Sequence, residues 1–133
     1  DDSAHLIPAI IHKVHQAVIS GSETVKVWGD GSARREFMFA GDLGDLLWEA
    51  CNRFDSLPQI MNVGLGHDYT IKEYYEAVSS VIGFNGRFEF DPSQPTGMIR
   101  KLTCTKQSIK WGWAPNTELI PGIKQTYEYY KGL

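Results

Sequence analysis

The stretch from Val27 to Phe39 combines residue types that could bind an anionic ligand. It reads Val-Trp-Gly-Asp-Gly-Ser-Ala-Arg-Arg-Glu-Phe-Met-Phe. Its two glycines suit a tight turn, because glycine tolerates positive φ. Trp28 offers a flat apolar face, and Arg34 or Arg35 offers a guanidinium fork that matches phosphate or carboxylate. These residues alone leave two interpretations open, a binding loop and an ordinary hairpin with solvated arginines.

A second cationic pair, Arg100 and Lys101, ends an irregular loop that begins at Asp91 and contains proline and glycine. Loops of this length inside a compact domain are often functional. The pair could close over an anion held by Arg35. The alternative is that both charges are solvated at the surface, and the local sequence alone favours this alternative.

Other side chains that could bind a metal or act as acids and bases have simpler structural explanations. His12 and His15 lie three residues apart on a predicted helix, but surface positions are favoured over a metal site. His5 lies at the entrance of that helix, where its local sequence favours a capping or surface role over catalysis. Asp42 and Asp45 could serve as an acid and base pair, yet capping of a helix explains them without a substrate.

Composition limits the class of protein. A chain of 133 residues fits one domain with a real core, and its net charge of -3 gives no overall basic surface for nucleic acid or an anionic membrane. Cys51 and Cys104 lack metal-type spacing, and we find no signal peptide or long apolar segment. We therefore expect a cytoplasmic protein without a metal. The absence of a first methionine predicts a fragment or a processed product.

Periodicity predicts an α/β domain in which helices accompany a short sheet. The sequence predicts helices over His5–Ile19, Asp42–Arg53, the segment after the capping box Thr70-Ile-Lys-Glu73, Lys106–Lys110 and the segment after Thr117, with Asp1–Ser3 supplying helix-start residues. It predicts strands or extended pieces over Thr24–Trp28, Glu36–Phe39, Gln59–Val63 and Arg87–Phe90. The order of the strands cannot be read from the sequence.

Two motifs resemble cofactor-binding signatures. Gly64-Leu-Gly66 lacks the third glycine of a dinucleotide fingerprint, so it predicts a pyrophosphate loop only weakly. Tyr127 and Lys131 have the Tyr-x-x-x-Lys spacing of short-chain dehydrogenases. That pair needs a cofactor beside it, and at the end of a last helix we interpret the spacing as a coincidence.

Four pieces together resemble the C-terminal portion of the GDP-L-fucose synthase family, within the extended short-chain dehydrogenases. The pieces are Ser3-Ala-His-Leu-Ile-Pro-Ala, Val27-Trp-Gly-Asp-Gly-Ser-Ala-Arg-Arg-Glu-Phe, Asn62-Val-Gly-Leu-Gly with Thr70-Ile-Lys-Glu, and Gly97-Met-Ile-Arg-Lys-Leu. The second and third pieces are shared by many nucleotide-sugar epimerases. The first and last pieces narrow the resemblance to the enzymes that act on GDP-sugars. It implies a single substrate-binding domain over residues 1–133, without the Rossmann half.

The resemblance also implies roles for particular residues. His5 matches the acid of the epimerisation, which protonates the ring carbon that a partner cysteine has deprotonated. Lys13 stands where relatives often carry an arginine near the diphosphate. Trp28, Arg35 and Lys101 match contacts to the nucleotide and diphosphate, and a diphosphate does require several converging cations.

The implied parent is an NADPH-dependent enzyme that converts GDP-4-keto-6-deoxy-D-mannose to GDP-L-fucose, as a homodimer. The NADPH loop, the catalytic Ser, Tyr and Lys and the reactive cysteine belong to an N-terminal half that this sequence lacks, so the isolated chain is expected to be inactive. Cys104 stands where relatives have an aspartate. The alternatives are an enzyme acting on another nucleotide sugar, of the GDP-colitose or GDP-deoxyheptose type, and a non-catalytic nucleotide-sugar binding module.

Overall fold

A computed structural model describes residues 5–94 and 97–133 of the chain. The helices are α1 (Leu6–Ser20), α2 (Ala40–Asn52), α3 (Ile71–Ile82), α4 (Lys106–Trp111) and α5 (Leu119–Lys131), with a short 3-10 helix at Phe54–Ser56. The strands are β1 (Thr24–Trp28), β2 (Arg34–Arg35), β3 (Tyr69–Thr70) and β4 (Arg87–Asp91). The α/β class predicted from the sequence is confirmed. The predicted helix-start residues Asp1–Ser3 lie outside the described part.

The chain divides into two compact units. Unit 1 takes its described residues from Asp1–Ala33, Thr70–Ile99 and Leu119–Leu133, and unit 2 consists of Arg34–Tyr69 and Arg100–Glu118. The single substrate-binding domain over residues 1–133 stays a prediction. No helix within the described residues is long and apolar enough to cross a membrane, and the cytoplasmic location stays a prediction as well.

Unit 1 is built on two parallel strands. β1 pairs with β4 in the register that places Thr24 opposite Arg87 and Trp28 opposite Asp91. α3 packs against both α1 and α5, and α1 also packs against β1. The core side chains are buried on these elements because their apolar positions recur at helical and strand spacing. They include Ile10, Ile11, Val14, Val25, Val27, Tyr74, Val78 and Ile123.

Local capping explains why the helices of unit 1 were predictable. The Thr70 side chain accepts a hydrogen bond from the backbone N–H of Glu73, and the Glu73 carboxylate accepts one from the backbone N–H of Thr70. This reciprocal box satisfies two amides that the helix itself leaves unpaired. α1 and α3 end at Gly21 and Gly83, both in the left-handed region at φ 68° and 85°.

The turn after β1 is not part of a hairpin. Gly29 and Gly31 adopt φ of 76° and 78°, as the sequence predicts for a tight turn. The flanking strands do not pair with each other, since β1 pairs with β4 and β2 pairs with β3. Instead, the carbonyl oxygens of Gly31 and Ala33 accept hydrogen bonds from the first backbone amides of α3 at 3.0 and 2.9 Å. The hairpin interpretation is therefore wrong, and the turn serves as a cap for α3.

Unit 2 has its own small core. Leu46 of α2 packs with Trp111 and Trp113, and the partly buried side chains around them are Met38, Ala50, Leu57, Met61 and Val63. The Trp111 indole N–H donates to Ser56 Oγ at 2.9 Å. The guanidinium carbon of Arg53 lies 4.2 Å from the centroid of the Trp111 ring, in a cation–π contact.

Three predictions about local structure in unit 2 were wrong. α2 begins at Ala40 rather than at Asp42, and the Asp42 carboxylate accepts hydrogen bonds from the hydroxyl and the backbone N–H of Thr117. Asp42 is therefore a tertiary anchor rather than a cap, and Thr117 is held two residues before α5. The extended piece predicted at Glu36–Phe39 is not a strand, and the strand lies earlier in the chain, at Arg34–Arg35. Gln59–Val63 forms no strand, because a strand requires a partner and the described residues provide none there.

Candidate functional site

Arg34 and Arg100 are brought together by backbone pairing in unit 2. They form a parallel β-bridge, although 66 positions separate them in the numbering. The backbone N–H of Lys101 donates to the carbonyl oxygen of Arg34 at 3.2 Å. The two cationic pairs noted in the sequence, Arg34–Arg35 and Arg100–Lys101, are thus neighbours in space.

Asp68 is the carboxylate on which two of these cations converge. Its Oδ1 accepts a hydrogen bond from Arg34 Nε at 2.7 Å, and its Oδ2 accepts one from Arg100 Nε at 2.5 Å. The Arg34 guanidinium also donates to the Asp68 carbonyl oxygen at 2.7 Å. Asp68 is only 6% exposed. The hydrogen bonds from Arg100 and then from Arg34 hold the pKa of Asp68 below its ordinary value, so the carboxylate is ionised at neutral pH.

The same pairing predicts that Arg35 and Lys101 lie on the opposite face. Successive side chains along an extended segment point to alternate sides. Because Arg34 and Arg100 are directly paired and both reach Asp68, the next residue of each segment projects away from Asp68. Arg35 is half-buried and donates from Nη1 to the Arg34 carbonyl oxygen at 2.7 Å, the same oxygen that receives the Lys101 amide. Alternation thus leads us to expect Arg35 and Lys101 on one side of this bridge.

Glu36 provides a second anchor next to Arg35. Its two carboxylate oxygens accept hydrogen bonds from the backbone N–H groups of Gly66 and Thr103, each at 2.7 Å. Partial burial would raise the pKa of Glu36, but the hydrogen bonds from Thr103 and Gly66 outweigh that effect and lower the pKa. The segment 34–36 is thus hydrogen-bonded to the segment 66–68 through both Arg34 and Glu36.

The glycines of the Gly64-Leu-Gly66 motif are explained by this packing. A Cβ atom on Gly64 would lie 2.6 Å from Glu36 Oε1 and 2.8 Å from Thr103 Cβ. The space that a pyrophosphate would need beside Gly64 is therefore filled by the chain's own side chains. These residues do not form a dinucleotide cradle.

Acid is expected to destabilise the chain through Asp68. A carboxyl group whose pKa is lower in the folded state stabilises it above the unfolded-state value of about 3.9, and this contribution is lost as the pH falls through the folded-state pKa. Urea unfolding at pH 7 should therefore show a lower midpoint for Asp68→Asn than for the parent chain. At pH 2.5 the difference between the two midpoints should shrink. An equal difference at both pH values would contradict this assignment.

In unit 1, the structure places Lys13 and Trp28 together and His5 at a helix entrance. Lys13 Nζ lies 5.8 Å from the centroid of the Trp28 ring, and Trp28 is 60% exposed. Trp28 ends β1, opposite the last residue of the parallel strand β4. The carboxyl ends of parallel strands are common places for ligands. His5 is exposed, immediately precedes α1, and makes no side-chain capping hydrogen bond.

The remaining histidines of α1 pair with tyrosines of α5. His12 Nδ1 and His15 Nδ1 lie 3.0 and 2.9 Å from the hydroxyl oxygens of Tyr130 and Tyr127. Lys131 Nζ forms an ion pair with Glu128 and lies 5.1 Å from the centroid of the Tyr127 ring. The contacts of Tyr127 and Lys131 are thus accounted for within unit 1. Among the described residues, no group of three or more His, Cys, Asp or Glu side chains is arranged to hold a metal ion.

Sequence reasoning missed Asp68 and Glu36, the two carboxylates that organise unit 2. Asp68 follows a glycine and a histidine in a turn-rich segment, where an aspartate is unremarkable. A usable signal was the presence of two arginine-containing pairs, Arg34–Arg35 and Arg100–Lys101, since a partly buried arginine such as Arg34 requires a partner. Cys104 is an exposed free thiol beside the anchored Thr103.

Comparisons of the sequence with known proteins identify its relatives. The family model described as "NAD dependent epimerase/dehydratase family" matches residues 1–64. The chain is 46% identical over 127 residues to a GDP-L-fucose synthase of Azorhizobium caulinodans, an alignment that covers 96% of this chain and 41% of the relative. It is 44% identical over 130 residues to a GDP-L-colitose synthase of Yersinia pseudotuberculosis, covering 98% of this chain and 42% of the relative. The chain thus spans less than half the length of these curated relatives.

Solved structures show the same pattern. The fold resembles GDP-mannoheptose C4 reductase from Campylobacter jejuni with NADP bound, at a TM-score of 0.80 and 32% identity, covering 96% of this chain and 45% of the other. It also resembles a GDP-L-fucose synthetase from Naegleria fowleri bound to NADP, at a TM-score of 0.85 and 19% identity, covering 97% of this chain and 40% of the other. At that identity the second likeness concerns the fold alone.

Proposed function

We propose that this chain belongs to the NAD dependent epimerase/dehydratase family and is the substrate-binding portion of a GDP-L-fucose synthase. The intact enzyme would convert GDP-4-keto-6-deoxy-D-mannose to GDP-L-fucose by 3,5-epimerisation and 4-reduction. The observation that carries this proposal is the parallel bridge between Arg34 and Arg100, both paired with Asp68, from which strand alternation leads us to expect Arg35 and Lys101 on the opposite face.

That face suits a diphosphate better than a single carboxylate. A diphosphate presents several charged oxygens, and cations from separate segments can contact different phosphate groups. The Arg35 guanidinium can donate two parallel hydrogen bonds, whereas the Lys101 ammonium acts as a compact point charge. In unit 1, the exposed face of Trp28 is assigned to the nucleotide and Lys13 beside it to the diphosphate.

His5 is proposed to act as the acid of the epimerisation. In this step a base removes the proton next to the ketone on one face of the sugar ring, and an acid returns a proton to the same carbon on the other face. An exposed histidine at a helix entrance, with no capping hydrogen bond, has the access that a proton donor needs. Neither Cys51 nor Cys104 matches the cysteine that serves as the base, so the base is assigned to the rest of the enzyme.

A nicotinamide cofactor is proposed for the intact enzyme, because a solved structure that is 32% identical to this chain has NADP bound. When bound, NADPH supplies the hydride for the reduction at C4. The Gly64-Leu-Gly66 motif does not fit that cofactor, since Glu36 and Thr103 fill the space beside Gly64. We therefore assign no part of the hydride transfer to this chain and place NADPH in the remainder of the protein.

The second candidate is an enzyme that acts on another GDP-linked keto sugar. It is favoured by the nearly equal identity to a GDP-L-colitose synthase and by the likeness to a GDP-mannoheptose C4 reductase. Both candidates need the same diphosphate contacts. Analysis of the sugar nucleotide formed by the complete protein would distinguish them.

Titration with nucleotides tests the proposed function directly. The chain should bind GDP more tightly than GMP, because the second phosphate contacts Arg35 and Lys101. It should also prefer GDP over UDP and ADP. Binding can be followed by calorimetry. Equal affinity for GDP and GMP would contradict the assignment of this face to the diphosphate.

A further inference from the structure

Arg34 and Arg100 present an electrostatic problem to the fold. They lie directly opposite each other in a parallel bridge, and their guanidinium groups point to the same side. Like charges in directly opposed positions of a sheet repel each other and destabilise the pairing. The bridge therefore requires a compensating negative charge on that side.

Asp68 provides this charge in a suitable position. Its side chain is 2% exposed, whereas the side chains of Arg34 and Arg100 are 39% and 56% exposed. Each guanidinium contacts a different carboxylate oxygen through Nε, so one carboxylate spans both segments. The Arg34 guanidinium also holds the backbone carbonyl of Asp68, which restricts the rotation of the pair.

The backbone next to this ion cluster carries the proposed diphosphate contacts. Lys101 follows Arg100 directly, and its N–H donates to the carbonyl oxygen of Arg34. Arg35 follows Arg34 and donates to the same oxygen. Any shift of residue 100 relative to residue 34 would therefore move Lys101 relative to Arg35.

We infer that Asp68 is a positioning residue that holds Lys101 beside Arg35, and so sets the preference of the site for a nucleoside diphosphate over a monophosphate. The part of this inference that concerns nucleotide preference rests on the proposed function. Asp68 touches no ligand in this role. It acts through Arg34 and Arg100, because it accepts hydrogen bonds from both and so keeps them paired in the bridge.

The test compares Asp68→Asn with Asp45→Asn in the 133-residue chain. Asp45 is an exposed carboxylate on α2 of the same unit, so its substitution matches the change in charge. Hydrogen exchange at the Lys101 amide should accelerate at least about 10-fold in Asp68→Asn and remain unchanged in Asp45→Asn. The affinity for GDP should fall about 10-fold in Asp68→Asn, and that for GMP by less than about 2-fold.

Two further variants make the test decisive. Arg100→Gln removes the Arg100–Asp68 ion pair through its exposed partner and should reproduce both effects. It therefore serves as the test if Asp68→Asn fails to fold. In a double-mutant cycle, Asp68→Asn should add little to the loss of GDP affinity caused by Lys101→Met, because both remove the same contact. Unchanged exchange at Lys101, or fully additive losses, would overturn the inference. A parent chain that does not distinguish GDP from GMP would contradict the proposed function, while exchange at Lys101 would still decide the positioning.

Discussion

Arg35→Ala is expected to lower the affinity of this chain for GDP about 10- to 100-fold, the range for loss of charge-assisted hydrogen bonds. Arg35 is half-buried and anchored on the Arg34 carbonyl oxygen, so its guanidinium is held in place before a ligand arrives. Binding to such a group costs less side-chain entropy than binding to a mobile one. The affinity for GMP should fall less, because GMP lacks the second phosphate. Calorimetric titration of both nucleotides measures the two effects.

Two control variants define the cause of this loss. Arg35→Lys keeps the charge but lacks the fork, so it should recover only part of the affinity. Arg87→Ala removes an exposed arginine from β4 in unit 1 and should leave GDP binding unchanged. The proposed contact would be excluded if Arg35→Ala bound GDP within about 2-fold of the parent, a change of about 0.4 kcal/mol.

Trp111→Ala is expected to destabilise the chain by about 3–5 kcal/mol, the range for removal of a large buried aromatic side chain. Trp111 is 8% exposed and packs with Leu46 and Trp113 in the core of unit 2. Its loss would also leave Ser56 without the indole donor and Arg53 without the ring over which it lies. Urea unfolding followed by circular dichroism measures the change in free energy of unfolding.

Trp48→Ala is the matched control for this variant. Trp48 belongs to the same unit and the same residue type, but it is 73% exposed. Its removal should change the free energy of unfolding by no more than about 0.5 kcal/mol, as is usual for a surface substitution. Similar losses in the two variants would show that the described packing of Trp111 does not determine the stability of unit 2.

The elements predicted most accurately are those whose signals lie within a few residues. The capping box at Thr70 and Glu73 and the glycine at position 83 define both ends of α3. β1 was predicted with its observed bounds because a short β-branched run ends at the Trp-Gly turn. Caps, turns and periodic apolar positions act locally, so the sequence reports them directly.

The errors concern residues whose partners are distant in the sequence. Asp42 looks like a helix cap, but its carboxylate is taken by Thr117. Gln59–Val63 has the composition of a strand and lacks a partner within the described residues. In both cases local propensity was outweighed by tertiary context, which a single sequence does not display.

The candidate site divides along the same line. The sequence by itself showed residue types that suit an anionic ligand, and the family resemblance singled out His5, Lys13, Trp28, Arg35 and Lys101. Their roles remain predictions. The tertiary structure alone decided that Arg34 pairs with Arg100 and that the Asp68 carboxylate accepts hydrogen bonds from both arginines. The physical reason is that these contacts join residues 34, 68 and 100, and a contact over such separations depends on how the whole chain closes rather than on local preference.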